Sequence, residues 1–73
     1  MDLNKLRGAL AERRITQRDL AKQLGLSVKT INAKLNGRTP ITVDEAYSII
    51  NIAKIQKPME IFFGNNVAEM QRR

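Results

Sequence analysis

Apolar residues recur along the chain at helical spacing, in short bursts separated by polar ones. Leu3, Leu6 and Leu10, with Ala11 beside them, predict a first helix from about Leu3 to Arg13 with one face turned inward. Asp2 stands where an N-cap accepts a first-turn N–H. Arg13 and Arg14 fall at the other end, where cations suit the helix dipole. Thr16 is the next N-cap, with Asp19 at the capping-box distance, although Asp is shorter than the usual Glu or Gln. A second helix then runs from Gln17 to Leu24 with Leu20, Ala21 and Leu24 inward. Gly25 suits a left-handed C-cap, and Leu26 can fold back onto the core. Ser27 caps a third helix, Val28 to Leu35, whose buried positions are Ile31 and Leu35, one turn apart. Asn36 and Gly37, the two residue types most tolerant of positive φ, end it.

Thr42 and Glu45 form a full capping box for a fourth helix, with Val43, Ala46, Ile49, Ile50 and Ala53 on its packing side. Pro58 fits the first turn of a short fifth helix ending at Phe63. Ile61, Phe62 and Phe63 are too apolar to sit free, so they close the core or face a second subunit. Gly64 to Asn66 reads as a turn. For Val67 to Arg73 a frayed helix, an edge strand and a tail all stay open. The expected fold is therefore all-α, a compact bundle of about five short helices. Residues 1–63 form the domain, and residues 64–73 form a C-terminal tail or dimerisation segment.

Composition narrows the chemistry. The 73 residues include no cysteine and no histidine. That excludes a disulfide framework, a thiolate metal site and the usual imidazole base, ligand or pH switch. Asp44 and Glu45 are explained by capping, and "LNGRTPI" lacks the spacing of a phosphate-binding loop. No enzymatic activity, cofactor, metal or small-molecule substrate is expected. A single domain this small has a marginal core, so it needs close packing or a partner chain. No apolar run approaches the roughly 18 residues of a membrane span. The N-terminus lacks a signal-like run, and the cytoplasm is the expected location.

Net charge is +6, which points to a polyanion or an anionic membrane surface. The charge is unevenly placed. Residues 1–38 hold nine Lys or Arg against three acids, and residues 39–73 hold four against four. The positive field belongs to the half that carries the second and third helices.

Two short helices joined by a Gly-containing turn make a helix-turn-helix outline, motif residues 16–37. In that arrangement the first helix braces against the phosphate backbone and the second lies in the major groove. Ala21 is small where steeply crossed helices need close approach. The third helix is left with Val28, Lys29, Asn32 and Ala33 outward, and Lys34 nearer its flank. Val28 suits a thymine methyl, Lys29 can donate to guanine O6 and N7, and Asn32 can pair with adenine N6 and N7 or meet a phosphate. Ala33 allows close approach and a methyl contact. Arg14, Arg18, Lys22, Lys34 and Arg38 are candidates for phosphates. One recognition helix reads only a few base pairs. The expectation is therefore a homodimer on a pseudo-palindrome with half-sites about 34 Å apart, joined through Phe62, Phe63, Val67 and Met70.

The segments "TQRDLAKQLGLS", "VKTINAKLNG" and "TVDEAYSIINIAKI" resemble the Cro/C1-type helix-turn-helix family of phage repressors and related bacterial regulators. The likeness spans about Leu3 to Phe63 and is greatest to small Cro-like regulators. It implies a lambda-repressor-like fold and double-stranded DNA as partner. It also implies a phosphate contact or a brace to the first recognition residue from Gln17, and phosphate clamps at Asn36, Arg38 and Thr39. Two departures stand out. Val28 replaces the glutamine frequent at the start of the recognition helix. Lys34 takes a place where many members carry a large apolar residue, with Leu35 next, so the helix is either rotated slightly or one position longer. A transcriptional repressor is the leading reading. An antitoxin-like module that also binds a toxin, and an activating or architectural DNA-binding protein, are the alternatives.

Overall fold

Each α-helix begins at a side chain that supplies the acceptor its first turn lacks. In the computed structural model, which describes residues 1–63, α1 spans Leu3–Glu12, α2 Gln17–Leu24, α3 Val28–Leu35 and α4 Val43–Ala53. A π-helical turn follows at Met59–Phe63. Asp2 Oδ1 accepts from the Lys5 N–H at 3.0 Å, and Ser27 Oγ from the Thr30 N–H at 3.1 Å. Thr16 and Asp19 complete a reciprocal capping box despite the shorter carboxylate, with both bonds at 3.0 Å. Thr42 and Glu45 do the same at 3.1 and 2.9 Å. Each such cap is worth about 1 kcal/mol.

The four helices also end alike. A left-handed residue follows each one, and the next N–H reaches back five residues: Ile15 to Leu10, Leu26 to Ala21, Arg38 to Ala33, and Ile55 to Ile50, at 2.9–3.0 Å. This Schellman-type closure satisfies carbonyls that the helix cannot. Two of the left-handed residues are Gly25 and Gly37; the other two are Arg14 (φ 57°) and Lys54 (φ 51°). The first helix therefore stops at Glu12, with Arg13 as its cap, one residue earlier than the pattern predicts.

Leu6, Leu10, Leu20, Ala21, Ile31, Leu35, Ala46, Ile49, Ala53, Ile61 and Phe62 form one buried core. Leu6, Leu20 and Ile31 are fully enclosed, each contributing roughly 1.5–3 kcal/mol of transfer free energy. Leu24 and Leu26 are partly buried against this core. Val43, expected on the inward side of α4, is 62% exposed. It is the first helical residue, and its side chain leans toward the N-terminus, past the edge of the core.

The last element is expected as an ordinary helix opened by Pro58. It forms instead as a π-turn just after that proline. Wider i→i+5 winding sets successive side chains closer in angle, which lets the neighbours Ile61 and Phe62 both face inward. The Asp2 N–H donates to the Ile61 carbonyl at 2.6 Å, tying the start of α1 to this turn. Phe62 is only 3% exposed. The side chain of Phe63, and Val67 and Met70 in the expected tail, lie outside the described residues.

Candidate nucleic-acid interface

The arrangement of α3 follows from its two anchors. Ile31 and Leu35 are buried one turn apart, so the opposite arc is available to a ligand. Lys29 and Asn36 are exposed on that arc, Asn32 and Ala33 are half-buried on it, and Val28 stands 46% exposed at the N-terminal end of the helix. Lys29, Asn32 and Ala33 therefore share one ridge, continued by Asn36, and Val28, seven residues before Leu35 and so over the anchored side, is open where the helix begins.

Gln17, the first residue of α2, meets this ridge directly. Its Oε1 accepts from Asn32 Nδ2 at 3.2 Å. Asn32 Oδ1 in turn accepts from Asn36 Nδ2 at 3.1 Å. The brace from Gln17 thus goes to the middle of the helix, not to its first residue. The three amides make a chain that crosses the motif, from the start of α2 to the end of α3.

Lys34 lies on a different side. It is two residues from Asn32, about 200° round the helix. Its Nζ is 3.0 Å from Glu45 Oε1 and donates to the Pro40 carbonyl at 2.9 Å. The two side chains are only 13% and 19% exposed. Lys34 thus ties α3 to the following loop and to the first turn of α4, its stem filling space where an apolar residue would pack. Burial alone would push the Glu45 carboxyl up. The Thr42 N–H and the Lys34 ammonium together outweigh that and hold it below the usual carboxylate range. Asp19 is lowered too, first by the Thr16 N–H and then by the Thr16 hydroxyl, with Lys22 and Arg18 adding their charge.

The remaining cations are spread around the motif. Arg14 is exposed in its left-handed conformation just before α2, and Arg18 is exposed on α2. Arg38 and Thr39 are exposed in the loop after α3. Lys22 borders a groove with Ile15, Asp19, Gln23 and Ile52, so it belongs to the α2–α4 side rather than the α2–α3 side. The loop after α3 rests on the start of α1: a Cβ at Gly37 would come within 3.3 Å of Leu3 Cδ1, and Gly37 has φ 79°. The left-handed backbone favours glycine there, and a side chain would in addition need Leu3 to shift by a few tenths of an ångström.

Arg7 is a further member of the site that periodicity did not single out. Its Nη1 donates to the Leu35 carbonyl at 2.6 Å, capping the negative end of α3, and its Nη2 donates to Asn4 Oδ1. Arg7 and Gln17 both line a small groove floored by Leu10, Ala11, Ile15 and Leu35. The available signal was position: Arg7 is four residues after Leu3, on the flank of the apolar stripe. Among the described residues no three acidic side chains gather as metal ligands, and no helix is long and apolar enough to cross a membrane.

Comparison with known families agrees with this geometry. The model of the Cro/C1-type HTH DNA-binding domain matches residues 5–62, most of the chain. No curated protein and no solved structure matches it. The chain belongs to the Cro/C1-type helix-turn-helix family and is, in general terms, a DNA-binding regulator of transcription.

Proposed function

We propose that this protein is a transcriptional repressor that binds a pseudo-palindromic operator as a homodimer, with α3 in the major groove of each half-site. The observation that carries this is the α3 ridge: Lys29, Asn32 and Ala33 face outward from a helix anchored by Ile31 and Leu35, with Val28 open where the helix begins. Val28 meets a thymine methyl, Lys29 donates to guanine, Asn32 pairs with adenine, and Ala33 lets the helix approach. Arg14, Arg18, Arg38 and Thr39 hold phosphates around the ridge, with the spare N–H of Gln17 beside them. These contacts supply most of the affinity and its salt dependence, and the base contacts supply the sequence preference. A single ridge of this size spans only a few base pairs, which supports a dimer on two half-sites about one helical turn apart.

The test is selection from duplexes with random centres at about 0.15 M salt, followed by sequencing of the retained fraction. An enriched inverted repeat with half-sites about one turn apart is the expected result. Retention without a motif, falling steeply with salt, would make the protein an architectural binder. Loss of all retention would overturn the reading and direct attention to a protein partner.

A further inference from the structure

The chain Gln17–Asn32–Asn36 restricts what Asn32 can read. An asparagine amide carries a donor on one side and an acceptor on the other, and it can ordinarily turn over to suit either arrangement. In this protein both sides are engaged. Nδ2 gives one hydrogen to Gln17 Oε1, and Oδ1 gives one lone pair to Asn36 Nδ2. One N–H and one lone pair are left. Turning Asn32 alone would set Oδ1 against Gln17 Oε1, and Nδ2 against Asn36 Nδ2. Both contacts would then oppose like polarity, so the amide turns only if all three turn together.

We infer that Gln17 and Asn36 are positioning residues that fix the orientation of the Asn32 amide, so that it selects adenine on one strand of the operator at a single base pair. This rests on α3 being the base-reading helix. The leftover donor and acceptor match adenine, whose major-groove edge offers an N7 acceptor and an N6 donor. Guanine offers two acceptors there, O6 and N7, and would meet the leftover lone pair unfavourably. In the direction the structure shows, with Nδ2 toward Gln17 and Oδ1 toward Asn36, an A·T pair and a T·A pair are not equivalent to it, and reversing that direction takes all three side chains. A solvated asparagine has no such direction. As a positioning residue, Asn36 also differs from a phosphate clamp, which would act equally on every sequence.

Two substitutions separate these roles with matched charge. Gln17→Glu and Asn36→Asp each add one negative charge on the same face, so both lower affinity for all duplexes. They differ in what they do to Asn32. The carboxylate at 17 still accepts from Nδ2 and keeps the amide as it is. The carboxylate at 36 can only accept, so it draws Nδ2 to itself and turns the amide over. Random-duplex selection is run on the wild type, both variants and Asn32→Ala. Asn32→Ala should lose the adenine preference at one base pair, by about 5- to 150-fold, the range of one bidentate contact. Gln17→Glu should keep that preference. Asn36→Asp should lose it or exchange A·T for T·A, with other positions unchanged. Identical preferences in Gln17→Glu and Asn36→Asp would overturn the inference.

The side-chain amide resonances of Asn32 in the DNA-free protein give an independent readout. They should move in Asn36→Ala, and failure to move would also overturn the inference. Absence of an enriched motif in the wild type would instead remove the base-reading role of α3, and this specificity role with it. If Asn32→Ala left every position unchanged while the amide resonances still responded to Asn36→Ala, the chain would be structural only, and the specificity role would be refuted.

Discussion

Replacing Lys34 with methionine separates a structural lysine from a DNA-binding one. The substitution keeps an unbranched stem of similar length and removes only the ammonium. What is lost is the 3.0 Å contact to Glu45 and the 2.9 Å bond to the Pro40 carbonyl. Exposed pairs of this kind are worth roughly 0.2–1 kcal/mol, and breaking a fully buried pair costs about 3–5 kcal/mol. With side chains 13% and 19% exposed, the pair lies between these limits. We expect Lys34→Met to lose about 2 kcal/mol, which for a domain of this size lowers Tm by roughly 8–16 °C. Glu45→Gln should cost less, because glutamine still serves the capping box with Thr42. The double variant should lose less than the sum of the two, a coupling of about 1 kcal/mol.

Urea and thermal unfolding measure the first effect, and the salt dependence of duplex binding measures the second. A lysine on a phosphate contributes about 0.9 to the slope of log K against log salt. Because Lys34 faces away from Asn32, its removal should leave that slope nearly unchanged. Stability within a few tenths of a kcal/mol of wild type, with a slope reduced by about one unit, would refute the reasoning. The ammonium would then belong to the DNA.

Two further outcomes follow from the caps. Arg14 and Lys54 hold left-handed backbone at φ 57° and 51° without being glycine. Arg14→Gly and Lys54→Gly should each stabilise the fold by about 0.5–1 kcal/mol in urea unfolding, and only Arg14→Gly should reduce the salt slope, since Lys54 lines a groove with Lys5, Ala9, Glu12 and Arg13 on the other side of α1. Asp19 and Glu45 are both held below their ordinary pKa, so the folded state binds protons more weakly than the unfolded chain there. That stability is fully present above about pH 5 and is lost as the pH falls through about 4 and below; the urea midpoint should drop over this window, less steeply in Glu45→Gln.

The positions of the helices were legible because the physics that sets them is local. Asp2, Thr16, Ser27 and Thr42 each accept a bond from an N–H three residues on. Cap and first turn can therefore be read in one window. Leu20 with Ala21, and Ile31 with Leu35, are buried as their spacing requires. Local signals failed where the outcome was decided elsewhere. Val43 has the spacing of a core residue, yet at the start of α4 it stays largely exposed among the described residues. Arg14 takes a conformation usually marked by glycine, so nothing in its type announces the end of α1. The π-turn depends on Ile61 and Phe62 finding room against helices laid down long before them.

The same division runs through the candidate site. Which side chains stand on the ridge follows from helical angle once Ile31 and Leu35 are known to be buried. What those side chains are able to do does not. Asn32 acquires its direction from Gln17, fifteen residues away, and Arg7 caps α3 from twenty-eight residues away. Lys34 illustrates the difference most sharply. By composition it is one more cation in a basic half, and by sequence position it lies within α3 beside Asn32 and Ala33. Its bonds to Pro40 and Glu45 instead make it the link between α3 and α4. Its ammonium is thereby committed before any DNA arrives, and using it on a phosphate would require breaking a mostly buried pair. Net charge therefore overstates the number of cations free for DNA, and the salt slope of binding should be smaller than the count of lysines and arginines in the first half of the chain implies.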